Sequence, residues 1–249
     1  MDDLRKTRRL HLNYCALCAL LLVSLGYSEL GAEATALSPE HHPWNRFQPG
    51  SWAKVRKYTE EYDAKGNIHS TSITETKTVL VDTGEDGCTV QQEVTIEVAG
   101  KRFTTQPRTI RLGLYGETNG EKATVRRLRS ESVDTGGTSV SCDVLETTIQ
   151  GEEKQIVSTI WYSQAVPPFI LKRATKSADR DGKRIHKATT EDLIATDMPY
   201  KALGKVMTAA YFQTVETNAG GPTVTLEIRC IDVPGGVVAH SSKQLDKAG

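Results

Sequence analysis

The chain has 249 residues with 31 basic and 31 acidic side chains, so its formal net charge is zero. A balanced chain offers no electrostatic reason to bind nucleic acid or an anionic membrane surface, and no nucleic-acid partner is expected. A chain of this length can bury about 70% of its unfolded surface, enough for a core without metals or a disulfide framework.

In chain order, residues 1–34 read as an export signal. Arg5, Lys6, Arg8 and Arg9 form a basic start, and Leu12 to Tyr27 is apolar. Ala32-Glu33-Ala34 then gives a small-residue cleavage site, with cleavage after Ala34. The apolar run would span about 24 Å as a helix, short of the roughly 30 Å of a bilayer core. No integral membrane segment is therefore expected after processing, and the expected location is the periplasm or the medium. Cys15 and Cys18 lie inside the apolar run, so their CxxC spacing carries no metal or redox reading.

A polar leader, 35–43, comes next and contains His41-His42. Adjacent histidines on an irregular segment cannot close a metal shell alone, so this leader is expected to be solvated. From Trp44 onward the text is strand-like, rich in Val, Ile and Thr and broken by Gly, Asp and Asn. Cys88, Val90, Val94, Ile96 and Val98 alternate on one face; so do Val140, Cys142 and Val144. Val224, Leu226, Ile228 and Cys230 do the same, with Thr223, Thr225, Glu227 and Arg229 opposite. Period two over such lengths predicts half-buried strands. The three cysteines fall on apolar faces and are expected to be buried thiols, with Cys142–Cys230 the candidate disulfide. No helical period is legible after the signal.

The expected fold is all-β: a curved antiparallel sheet or half-barrel of about twelve strands, in a single domain over 44–249. Its modules repeat. Val166, Pro167, Lys176, Asp179 and Gly182 match Val233, Pro234, Lys243, Asp246 and Gly249 at a constant offset of 67 residues. A weaker third copy ends at Gly66. The unit is strand, Val-Pro corner, strand, D-x-x-G turn and return strand, with copies at about 44–105, 138–196 and 205–249. In the last copy the return strand would begin after Gly249. The expectation is therefore a shortened C-terminus or a strand supplied from elsewhere, with His240 to Leu245 as an edge open to strand addition.

The stretch TIWYSQAVPPFILKRATKSADRDGKRIHKATTEDL resembles a module of the lipoprotein-carrier family of the bacterial periplasm. The leader HHPWNRFQPGSW resembles that of uncharacterised exported β-proteins of planctomycete-type bacteria. The carrier resemblance implies a half-barrel whose concave face covers an apolar cavity.

Other candidates have simpler explanations. Lys122 to Arg129 is basic, but Glu117, Glu121 and Glu131 flank it, as on a solvated strand face. Trp44, Trp52, Tyr58 and Tyr62 form a candidate aromatic shelf, or ordinary sheet pairing. No HExxH, GxSxG or phosphate-loop pattern is present, and the sequence points to no catalytic residue, metal or cofactor. The expected function is an exported non-enzymatic protein that binds or carries a lipid or other apolar ligand. The alternative is a structural or partner-binding envelope protein with a filled core.

Overall fold

A computed structural model of the protein describes residues 37–63 and 65–245. The proposed signal, the cleavage site after Ala34 and the final D-x-x-G turn lie outside these residues.

The described chain is all-β, with two antiparallel sheets and a single short 3-10 turn, Pro39–His41. The first sheet holds β1 (Trp52–Tyr62), β2 (Ile68–Gly84), β3 (Gly87–Val98), β4 (Lys101–Thr104) and β5 (Arg108–Gly113). The second holds β6 (Ala123–Asp134), β7 (Ser139–Gln150), β8 (Lys154–Tyr162), β9 (Ile170–Asp179), β10 (Ile185–Ala202), β11 (Lys205–Asn218), β12 (Gly221–Arg229) and β13 (Val237–Gln244). Its strands lie side by side in sequence order, and neither sheet closes into a barrel.

Two local features account for thirteen strands in two sheets where about twelve in one were expected. β4 and β5 share one edge of β3, pairing with Thr95–Val98 and Gly87–Gln92 respectively. Pro107 lies between them and has no N–H to continue the ladder. After β5 the chain leaves the sheet through residues 114–122, where Gly116, Asn119 and Gly120 all have left-handed backbone. β5 is held against the β2–β3 turn by Gly87. A Cβ there would stand 2.1 Å from the Leu112 carbonyl oxygen, so only glycine allows the approach.

The 67-residue repeat is visible in the strand register. Asp143 pairs with Tyr162, as Ala210 pairs with Arg229. Trp161 pairs with Lys172, as Ile228 pairs with Ala239. The bulge between Trp161 and Tyr162 recurs between Ile228 and Arg229. Glu131 pairs with Cys142, as Met198 pairs with Ala209. The second sheet is therefore two four-stranded meanders, β6–β9 and β10–β13, joined by the turn Asp179–Gly182. In that turn Gly182 N–H donates to the Asp179 carbonyl at 2.9 Å, matching Gly66 to Asp63 at 3.0 Å in the first sheet.

Three buried clusters hold the fold. One joins Cys142, Leu171, Leu193 and Phe212 within the second sheet. Another sets Leu37 against Leu145, Ile160, Tyr162 and Phe169. The third sets Trp44 against Leu80, Cys88 and Val90 of the first sheet. The segment from Leu37 to Phe47 thus packs on both sheets, and each large side chain so buried contributes about 1.5–3 kcal/mol. This corrects the expectation of a solvated leader. Leu37 and Trp44 bracket the polar residues and draw them inward, leaving His41 and His42 half-buried.

Candidate functional site

The Val-Pro corners of the two meanders lie where strands β8 and β12 end, and they share a hydrogen-bond plan. Ser163 N–H donates to the Phe169 carbonyl and Phe169 N–H to the Val166 carbonyl, both at 2.8 Å. Cys230 N–H donates to the Gly236 carbonyl and Gly236 N–H to the Val233 carbonyl, also both at 2.8 Å. Phe169 has φ +74° and Gly236 has φ +80°. A left-handed backbone is ordinary for glycine and costs a phenylalanine about 1–2 kcal/mol.

The leader crosses both corners. His41 stacks flat on Phe169, with ring centres 3.6 Å apart. Tyr162 accepts from the Ser38 N–H at 3.2 Å, and its hydroxyl shares a hydrogen bond with His41 Nδ1 at 2.7 Å. Tyr115, from the 114–122 segment, accepts from the Leu37 N–H. At the second corner, Gly235 N–H donates to the Pro43 carbonyl at 3.1 Å. The Trp44 ring lies so close that a Cβ on Gly235 would stand 2.8 Å from its Cζ2.

Beneath the leader is a cavity of about 370 Å³. Leu37, Leu114, Phe169, Ile170, Ile231 and Val237 supply apolar wall, and Arg173, Glu191, Glu227 and Arg229 supply the polar part. Arg173 sits on β9, Glu191 on the adjacent β10, and Glu227 and Arg229 on β12, beyond β11 of the same sheet. Arg229 Nη1 and Nη2 donate to the two carboxylate oxygens of Glu191 at 3.1 and 2.6 Å, and its Nε donates to Glu227. Its guanidinium also lies 4.2 Å from the centre of the Phe212 ring. Burial acts to raise the Glu191 pKa, but the hydrogen bonds and charge of Arg229, with the charge of Arg173, outweigh it and hold the carboxyl below its ordinary range. Arg173 differs. It is the cross-strand neighbour of Glu191, yet it makes no hydrogen bond or ion pair with any described residue, and its buried Nε has no partner.

His42 and Cys88 stand 3.8 Å apart, a spacing that invites comparison with a nucleophile and its base. Burial pushes the thiol up to about 11 and, with the charge of Arg173, brings His42 down to about 4. Both are neutral at pH 7, and a neutral buried thiol is a poor nucleophile.

No family model, curated protein or solved structure matches this chain.

The residues singled out in the sequence scatter. Cys88, Cys142 and Cys230 are buried, and all three thiols are free, so no disulfide joins Cys142 to Cys230. Of the aromatic shelf, Trp44 is buried in the third cluster, while Trp52, Tyr58 and Tyr62 stand exposed along β1. The basic run lies on β6, where Arg126 and Arg127 pair with Glu146 and Asp143. Among the described residues, no group of three or more His, Cys, Asp or Glu is placed to hold a metal, and no helix is long and apolar enough to cross a membrane.

Two alternating runs are buried differently from expectation. On β12 the apolar residue Leu226 is 52% exposed, whereas Glu227 and Arg229 line the cavity. On β3 Cys88 and Val90 are buried, but Ile96 and Val98 are exposed because the leader covers only one end of the sheet. Arg173, Glu191, Arg229, Tyr162 and Phe169 were not legible as a group. One usable signal exists: Arg173 is two residues from fully buried Leu171 on β9, which places a cation on the inward side of a strand.

Proposed function

We propose that this is an exported, non-enzymatic protein that holds a mainly apolar small molecule or acyl chain in the cavity beneath the leader. The observation that carries this reading is the cavity itself. Its 370 Å³ falls in the range of about 300–1,000 Å³ usual for small-molecule sites. Each buried methylene would contribute about 0.8 kcal/mol. A chain of eight to ten methylenes then supplies a gross gain of roughly 6–8 kcal/mol, before the cost of ordering the ligand. The resemblance of the β8–β10 module to periplasmic lipoprotein carriers supports the same reading. The neutral His42–Cys88 pair supports a binding role over a catalytic one. Export rests on residues 1–34.

Titration of the purified protein with a neutral apolar fluorophore, with native mass spectrometry alongside, tests this. Saturable one-to-one enhancement, or a co-purified apolar adduct, is expected. Adduct-free protein that leaves the fluorophore unchanged would overturn the reading.

A second reading has its own observation. Among the described residues, β13 pairs with β12 alone, and its outer edge is free to accept a strand from a partner. The segment involved is His240 to Leu245, and its polar side chains suit an extended peptide better than a second apolar sheet.

A further inference from the structure

We propose that the ligand of this cavity carries an anionic head, a carboxylate or a phosphate monoester, received by the Arg173 guanidinium. The inference rests on the reading of the cavity as a ligand site and adds the chemical class of the ligand.

The carboxylates around Arg173 make their hydrogen bonds elsewhere. Glu191 is its cross-strand neighbour, but both oxygens of Glu191 accept from Arg229. Glu227 accepts from the same arginine. Glu117, on the 114–122 segment, accepts from the Tyr115 N–H at 2.9 Å. Arg173 is left with five N–H donors and no acceptor among the described residues. Its Nε is buried, and the guanidinium lines the cavity. A guanidinium stays protonated at any physiological pH and presents a planar fork that fits a carboxylate or phosphate with two parallel hydrogen bonds.

The surroundings fit such a head. Gly116, with φ +99°, places bare backbone beside the guanidinium; even a Cβ there would remain 3.8 Å from Nη1. The neighbouring His42 is held neutral by burial and does not compete for an anion. Arg46 lies above the Phe169 ring at 5.9 Å and adds positive charge at the rim. The apolar walls then take the rest of the molecule. A cavity of this volume has room for about a dozen water-sized groups, which matches a medium-chain acid rather than a whole diacyl lipid.

Decanoate, decyl phosphate and 1-decanol compared as displacers of a neutral bound fluorophore, at about pH 7.5 where a carboxylate is ionised, test the inference. At least one anion should displace at about tenfold lower concentration than decanol, as a charge-assisted pair predicts. The stronger of the two identifies the head. R173M should remove that advantage and leave decanol unchanged, and R173K should keep part of it. If R173M does not fold, R173Q takes its place. Decanol equal to or better than both anions in the wild type would overturn the anionic head and leave the cavity reading standing. An anion preference that survives in R173M or R173Q would also overturn it. Failure of the fluorophore and all three ligands to bind would overturn both.

Discussion

Phe169 and Gly236 occupy the same place in two copies of one corner, 67 residues apart, with the same left-handed backbone. Their side chains differ, and the leader meets the two corners in different ways. At the first corner His41 stacks on the Phe169 ring; at the second, Trp44 packs against Gly235, the residue before Gly236, where a Cβ would stand 2.8 Å from the ring. The duplicated frame thus yields an asymmetric site.

The backbone at Phe169 makes an unusual prediction. Phe169→Ala loses the ring and keeps the left-handed cost, whereas Phe169→Gly loses the ring and relieves that cost. The glycine variant should be more stable than the alanine variant by about 1 kcal/mol. Urea denaturation of the two variants checks this, and an alanine variant at least as stable as the glycine variant would contradict it.

Gly235→Ala should loosen the leader. The new methyl would lie 2.8 Å from the Trp44 ring, at a position with φ +77°. The expected loss is about 2 kcal/mol, combining overpacking with left-handed strain. Because Trp44 would have to move, its fluorescence should shift to the red in the folded variant.

Tyr162→Phe removes the acceptor for Ser38 N–H and the hydroxyl hydrogen-bonded to His41. The expected loss is about 1–2 kcal/mol, since a part-buried N–H is left unpaired. Proteolysis under native conditions should then cut near residues 37–47 faster than in the wild type, while the rest of the chain stays resistant.

Stability should fall on mild acidification. Burial, with the charge of Arg173, holds folded His42 at about 4, while an unfolded histidine titrates near 6.5. Between those values the unfolded chain binds a proton that the folded chain does not, so stability rises with pH there. The contribution is therefore full above about pH 6.5 and is lost as pH falls towards 4, by no more than about 3 kcal/mol. Burial lowers His41 in the same direction. A pH series of denaturation curves should show this slope, and His42→Asn should flatten most of it.

The corners and turns were legible because each demands particular residues: proline at a strand start, and glycine at φ +74° in the Asp179–Gly182 turn. Repeated backbone therefore left repeated letters. The site was not legible, for two physical reasons. Alternation tells which residues share a face and not which face is covered, so Leu226 and Arg229 were placed on the wrong sides of β12. The cover is also distant in sequence. His41 of the leader and the adjoining Trp44 meet Phe169 and Gly235 across well over a hundred residues, and strand periodicity carries no trace of such a contact.

Arg173 makes no hydrogen bond or ion pair among the described residues, while Arg229 pairs with both Glu191 and Glu227. Denaturation of Arg173→Met and Arg229→Met compares them directly. Arg229→Met strands Glu191 and Glu227 and should cost about 3 kcal/mol or more. Arg173→Met removes a cation with no hydrogen-bonded partner among the described residues, stabilised only by the charges of Glu191 and Glu117, and should leave stability within about 1 kcal/mol of the wild type, or raise it. Equal and large losses in the two variants would show that the fold itself uses Arg173, and would contradict the account.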